Sequence, residues 1–214
     1  QRNILRSEDE NNMNSIQASA LMAGIAGLFH DFGKGNKLFQ QKLKKGKGFE
    51  PYRHEWLSCQ MFINFVAGRQ DNEWLEHLAQ ISDADDEHII QRCNPATTVN
   101  FNELSHSPLA QCVTWLILSH HRLPKSLHRA QDLTNVESWL SGLDANWNAL
   151  NHHSDKFLHQ EKHDNTIFPF GSPMRSFKWR NKAKELSRRA LNQANLIEYA
   201  SLDKALPLHI ARMA

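Results

Sequence analysis

Cysteine is scarce. Cys59, Cys93 and Cys112 are odd in number and widely spaced, with no Cys-x-x-Cys pair. This excludes a disulfide framework and a structural zinc knuckle and fits a reducing, intracellular compartment. Long apolar runs are missing too. The longest, around Ala18 to Phe29, is shorter than the roughly 20 residues of a membrane span and has no basic flank in front of it. A soluble, cytoplasmic protein without a targeting segment is expected. Net charge is only +2, too mild to demand a nucleic-acid partner, so any case for DNA must come from local patches and chemistry. No phosphate loop of the G-x-x-x-x-G-K-S/T kind occurs, which excludes an ATP site within this sequence. No stretch alternates with period two, and there is no internal repeat.

What is abundant is histidine, at 13 residues, which directs attention to metals and proton transfer. With 40% of residues hydrophobic, the chain can bury one sizeable core, and a single domain over residues 1–214 is expected. After a polar lead with Ser7, Glu8, Asp9 and Glu10, suited to a helix start, Ile16 to Phe29 reads as a mostly buried helix. Gly24 and Gly27 would admit a close neighbour to it. Leu38 to Leu43 reads as a short amphipathic piece and Lys42 to Gly48 as an exposed loop. His54 to Val66 and Trp74 to Ile81 read as helices, with acidic Asp83 to Glu87 and a loop around Pro95 after them. Pro108 takes the favoured first-turn position of a helix reaching His121, which puts His120 on the face of Leu116 and Ile117. Ser138 to Leu150 and the basic Ser176 to Asn195 complete the helices, with a polar, loop-like Asn151 to Ser172 between them. The class is all-α, held by helix packing. Gln1 is not a start methionine, and Leu206 to Ala214 ends in helical periodicity without a stop signal, which predicts a piece of a longer chain.

Chemistry gathers in three places. His30-Asp31 follows a strongly apolar helix and precedes Phe32-Gly33-Lys34, so two metal-binding side chains and an ammonium emerge at a glycine-rich turn. Carboxylate and neutral imidazole suit Mn, Fe, Co, Ni or Zn, and Asp31 is the candidate bridge between two ions about 3.5–4 Å apart. His163-Asp164 is the same dipeptide in a polar segment, without that context. His120-His121 ends an apolar helix and leads into Arg122-Leu123-Pro124, whereas His152-His153 lies among polar residues. His54 stands alone, as packed or surface histidines usually do, but Ser58 one turn on shares its face and could hydrogen-bond a ligand or phosphate. Two basic clusters complete the inventory: Lys34, Lys37, Lys42, Lys44, Lys45 and Lys47, and Arg175, Lys178, Arg180 and Lys182 with Trp179 among them. With Arg122 they offer phosphate contacts, and Trp179 a stacking surface for a base. The alternative is a solvated face around a core tryptophan.

His30-Asp31-Phe32-Gly33-Lys34 with Phe39-Gln40, then Tyr52-Arg53-His54-Glu55-Trp56-Leu57-Ser58, then Ser119-His120-His121-Arg122-Leu123-Pro124, together resemble the HD nuclease domain of the CRISPR-associated type I effector helicase-nuclease. Ser176 to Ala183 looks like the subtype I-F version, in which an adaptation-type domain precedes the nuclease and a helicase comes after it. The resemblance implies an HD-domain helical bundle with a metal site at its centre. His30, Asp31, His54, His120 and His121 fall on the family's metal ligands, and Lys34 on the lysine beside the site. It further implies two divalent ions (Mn, Ni, Co or Fe, with Mg as a further option) and hydrolysis of single-stranded DNA in antiviral defence. The implied partners are the surveillance complex, the adaptation integrase and a phage-encoded inhibitor. In the mechanism so implied, metal-activated water attacks phosphorus while Lys34 stabilises the developing charge. Activity is then expected to fall below about pH 6 to 6.5, where free imidazole protonates. Two departures stand out: no histidine lies upstream of His30, and the family's late aspartate would fall just beyond Ala214, with Asp203 the nearest alternative. An HD nucleotide phosphohydrolase and a non-catalytic HD docking domain are the competing readings.

Overall fold

The computed structural model describes residues 13–47, 52–93, 101–121, 168–193, 196 and 200. They form helices α1 (Met13–Phe29), α2 (Lys37–Lys45), α3 (His54–Val66), α4 (Asp71–Leu78), α5 (Asp83–Arg92), α6 (Pro108–Ser119) and α7 (Phe177–Asn192). Short 3-10 turns lie at Phe32–Gly35, Phe101–Leu104 and Pro173–Arg175. No strand occurs among the described residues, so the chain is all-α as its periodicity requires. Among these residues no helix is long and apolar enough to cross a membrane. The expected helix at Ser138 to Leu150, the C-terminal Leu206 to Ala214, and Arg122, Asp203, His152-His153 and His163-Asp164 lie outside the described residues.

Helices α3 and α6 are buried along almost their whole length, because both are apolar on every side rather than along one stripe. They pack on each other, α1 packs on α6, and α7 lies across α1 and α4. Gly24 makes the crossing of α7 over α1 close: a Cβ there would stand 3.2 Å from Cδ2 of Leu186 on α7. Gly27 plays no such part, since nothing approaches within 4 Å of its Cβ position. Phe29 is the aromatic hub, with ring centroids 4.9 Å from Phe62, 5.0 Å from Phe32 and 5.5 Å from Trp179. The last residue of α1 is thus anchored from three directions, and that anchor sets where His30 and Asp31 leave the helix.

The structure departs from the sequence reading in the polar segments. Lys42 to Lys45 are helical, not loop: Asn36 caps α2 by accepting the Phe39 N–H, and the chain leaves at Gly46 with φ +66°. Lysine is a good helix former, and three lysines in the last turn complement the negative end of the helix dipole. The acidic Asp83 to Glu87 opens a further helix, α5. Asp85 accepts the Ser82 N–H at 2.7 Å, and first-turn carboxylates lie where the dipole favours them. Helix α4 begins at Asp71, before Trp74, because Glu73 accepts the Gln70 N–H at 2.9 Å.

Asp71 joins two helices. It is 3% exposed and accepts from Trp74 Nε1 at 2.9 Å and from the Leu109 and Ala110 N–H groups at 3.0 and 3.1 Å. Those two amides belong to the first turn of α6, which has no carbonyl of its own for them. Asp71→Ala should lower stability by about 3 kcal/mol, since it leaves buried donors unpaired; urea denaturation checks this, and a loss inside experimental scatter would refute the capping role.

Candidate metal centre

Because Phe29 is fixed in the core, His30 and Asp31 emerge where α1 ends. The His30 N–H still reaches Ala26 O at 2.9 Å, and then the backbone tightens, with Lys34 N donating to Asp31 O at 2.9 Å. Gly33 is pressed onto the backbone of His54: a Cβ there would stand 2.7 Å from the His54 carbonyl carbon and 2.8 Å from its Cα, and nearer still to the oxygen. Ser58 Oγ accepts the Gly33 N–H at 2.8 Å, and Gln40 Nε2 donates to Lys34 O at 2.7 Å. The turn is thereby clamped between α2 and α3.

Asp31 is the hub of the side chains. Its Oδ1 faces Nε2 of His54 at 3.9 Å and Nε2 of His120 at 3.8 Å, while its Oδ2 faces Nε2 of His30 at 3.2 Å. Lys34 Nζ straddles both oxygens at 2.8 and 2.9 Å. The His121 ring lies 5.0 Å from that of His54 and 4.1 Å from that of His120. One donor atom from each of Asp31, His54, His120 and His121 falls within 4.8 Å of every other, a group that could hold a metal ion. His30 is outside that group of four but stands against it, its ring 5.1 Å from that of His120.

The electrostatics fit a cation. Burial raises the Asp31 carboxyl, but the Lys34 hydrogen bond and the charges of His30, Lys34 and His54 outweigh it, and the group stays below its ordinary range. It is therefore an anion at neutral pH. His120 is pushed down from 6.5 to about 4, chiefly by burial, with the Ile117 carbonyl opposing and His121 and His30 adding to the drop. Its Nδ1 lies 2.7 Å from Ile117 O, which fixes the proton there and leaves the lone pair on Nε2. That Nε2 is buried and has no hydrogen-bond partner among the described residues. A buried lone pair aimed at a carboxylate calls for a positive group between them, and one carboxylate among imidazoles suits a first-row transition metal.

The other expected residues divide. Ser58 is fully buried, and its hydroxyl accepts the Gly33 amide, which holds the turn. Lys37, Lys44 and Lys45 are exposed and Lys42 is half-buried on α2, which reaches the centre through Phe39, its ring 5.5 Å from that of His54. Trp179 is half-buried against the core: its Nε1 donates to Leu28 O at 2.8 Å and its ring packs on Phe29 and Phe32, which gives it a structural role. Arg180 is bound to Asp83 and to the Met174 carbonyl, Arg175 to Asp86 and Lys182 to Glu185. Of that second cluster, Lys178 is exposed.

Sequence reasoning passed over Glu55. It is buried, its Oε1 takes Arg53 at 2.7 Å and its Oε2 lies 3.5 Å from His54 Nδ1. Burial raises its carboxyl, but its own backbone N–H and the charges of His54 and Arg53 prevail and keep it below its ordinary value. A carboxylate adjoining a candidate ligand in sequence, with an arginine two residues before it, was the available signal.

No family model matches the chain. Across its whole length it is 40% identical, over 227 aligned positions, to a protein of Pectobacterium atrosepticum named CRISPR-associated nuclease/helicase Cas3 subtype I-F/YPEST. A Pseudomonas aeruginosa protein of the same name is 34% identical over 221 positions covering 99% of the chain. The chain spans about a fifth of the length of these relatives.

The geometry makes two measurable demands. Gly33→Ala should weaken transition-metal binding at least about tenfold, as expected for lost support of a ligand, in a chain that keeps its helical circular dichroism; unchanged titration calorimetry would refute the close approach. In the metal-free protein, His120 protonates near 6.5 when unfolded and near 4 when folded. The unfolded state therefore takes up its proton first, and stability should fall as pH drops through that window, by at most about 1.4 kcal/mol per pH unit. His120→Asn should flatten this limb in urea midpoints; an unaltered slope would show that other groups set it.

Proposed function

We propose that this chain is the metal-dependent HD nuclease domain of a longer CRISPR-associated helicase-nuclease of the I-F kind, one domain over residues 1–214, hydrolysing phosphodiester bonds of single-stranded DNA. The observation that carries the reading is the convergence of Asp31, His54, His120 and His121 within 4.8 Å. They come from the three segments on which the family resemblance rests. The full-length similarity to proteins named nuclease/helicase supports the same conclusion.

Asp31, His54, His120 and His121 would hold the ion. Because Oδ2 of Asp31 turns to His30 while Oδ1 turns to His54 and His120, Asp31 suits a bridging role between two ions, of Mn, Ni, Co, Fe or Mg. Such an ion supplies Lewis acidity toward a phosphoryl oxygen and lowers the pKa of a water nucleophile. Lys34 neutralises Asp31 and, with its side chain one-third exposed, is available to charge developing on the phosphate. The lysines of α2 attract the strand electrostatically beside the centre. In the full-length protein, the surveillance complex, the adaptation integrase and a phage-encoded inhibitor are the partners, within the cytoplasm.

The test is cleavage of circular single-stranded DNA with Mn, Ni, Co or Mg in turn, beside Asp31→Ala. Metal-dependent nicking that disappears in the variant is the expected result. Nicking by the variant at the wild-type rate would remove Asp31 from the centre. Failure with every metal, in a folded chain, would favour a docking role, and hydrolysis confined to free nucleotides would favour a phosphohydrolase.

A further inference from the structure

The three histidines facing the Asp31 carboxylate are oriented by different devices. His30 and His120 each come directly after the last residue of a helix, where carbonyls are left over by the helical pattern. Nδ1 of each settles on the carbonyl three residues back, at 2.8 Å from Gly27 O and 2.7 Å from Ile117 O. In both rings Nε2 is then turned toward Asp31. His54 instead opens its helix, and the groups left over at a helix start are N–H donors, which cannot orient an Nδ1–H. A neighbouring side chain can supply the acceptor. Glu55 Oε2 stands 3.5 Å from His54 Nδ1, and Nε2 of the same ring faces Asp31 Oδ1 at 3.9 Å.

Glu55 is also costly to keep where it is. It is 3% exposed, and the side chain of Arg53, which binds its other oxygen, is 10% exposed. A buried ion pair rarely contributes net stability compared with apolar residues of the same size, so packing alone does not account for it.

We infer that Glu55, held in place by Arg53, is the positioning residue of the centre: it accepts the Nδ1–H of His54, fixes that tautomer and directs the Nε2 lone pair toward the ion position beside Asp31. The inference rests on reading the site as a metal centre. At 3.5 Å the contact lies at the long edge of hydrogen-bond range, and contacts of this kind tighten when a site is completed. The negative charge also makes the imidazole a stronger donor to a metal.

The experiment uses Glu55→Ala and Glu55→Gln, with Asp86→Asn as a control that loosens the bond between a buried carboxylate on α5 and the half-exposed Arg175. Proton–nitrogen correlation NMR of the metal-free protein reads the His54 tautomer, and titration calorimetry with Mn or Ni, without DNA, reads affinity. Wild type should show His54 protonated on Nδ1. Glu55→Ala should show mixed tautomers and bind metal about ten- to a hundredfold more weakly. Glu55→Gln, whose carbonyl still accepts, should keep the tautomer but lose part of the affinity, and Asp86→Asn should change neither. Wild-type tautomer and affinity in both Glu55 variants, or equal changes in the Asp86 control, would overturn the inference. Should wild type take up no metal, the metal reading fails, while the tautomer comparison still decides whether Glu55 orients His54.

Discussion

The centre depends on one close approach of two backbones. The turn after Asp31 rests on the first residue of α3 so tightly that no side chain fits between Gly33 and the His54 carbonyl. Ser58, one turn further along α3, secures the same turn through its amide. His54 and Asp31 come from segments more than twenty residues apart, yet their relative position is fixed by main-chain contact rather than by flexible side chains. Such placement gives a site the precision that rigid elements provide and loops do not.

Around that contact the electrostatics are arranged to favour a cation. One carboxylate faces three imidazole nitrogens, and burial holds His120 down to about 4, in its neutral form. The ammonium of Lys34 sits across both oxygens of Asp31, so the carboxylate is ionised and balanced. A metal held there would compete with that ammonium for the same oxygens.

The two basic clusters, alike in composition, differ in what surrounds them. The lysines of α2 lie on a polar helix that contains no buried residue and is docked beside His54. The arginines near α7 meet the acidic first turn of α5, and Asp83 and Asp86 absorb their charge. The arginines of the second cluster bind the fold together, while Lys37, Lys44 and Lys45 of the first are exposed.

The sequence alone determined the helical class, the near-correct bounds of α1, α3, α6 and α7, and the segments whose Asp31, His54, His120 and His121 the fold brings together. These come from local rules: apolar periodicity marks buried helices, and His-Asp and His-His pairs at the ends of such helices are chemically conspicuous. It misjudged the end of α2 and assigned no structure to the acidic α5, because runs of like charge look like loop until capping and the helix dipole are counted. Only the tertiary structure decided that Trp179 packs half-buried against the core, that Ser58 serves a backbone amide, and that Glu55 stands behind His54. Each of those outcomes depends on which partner a side chain meets across the fold, and local sequence carries no record of contacts made between distant segments.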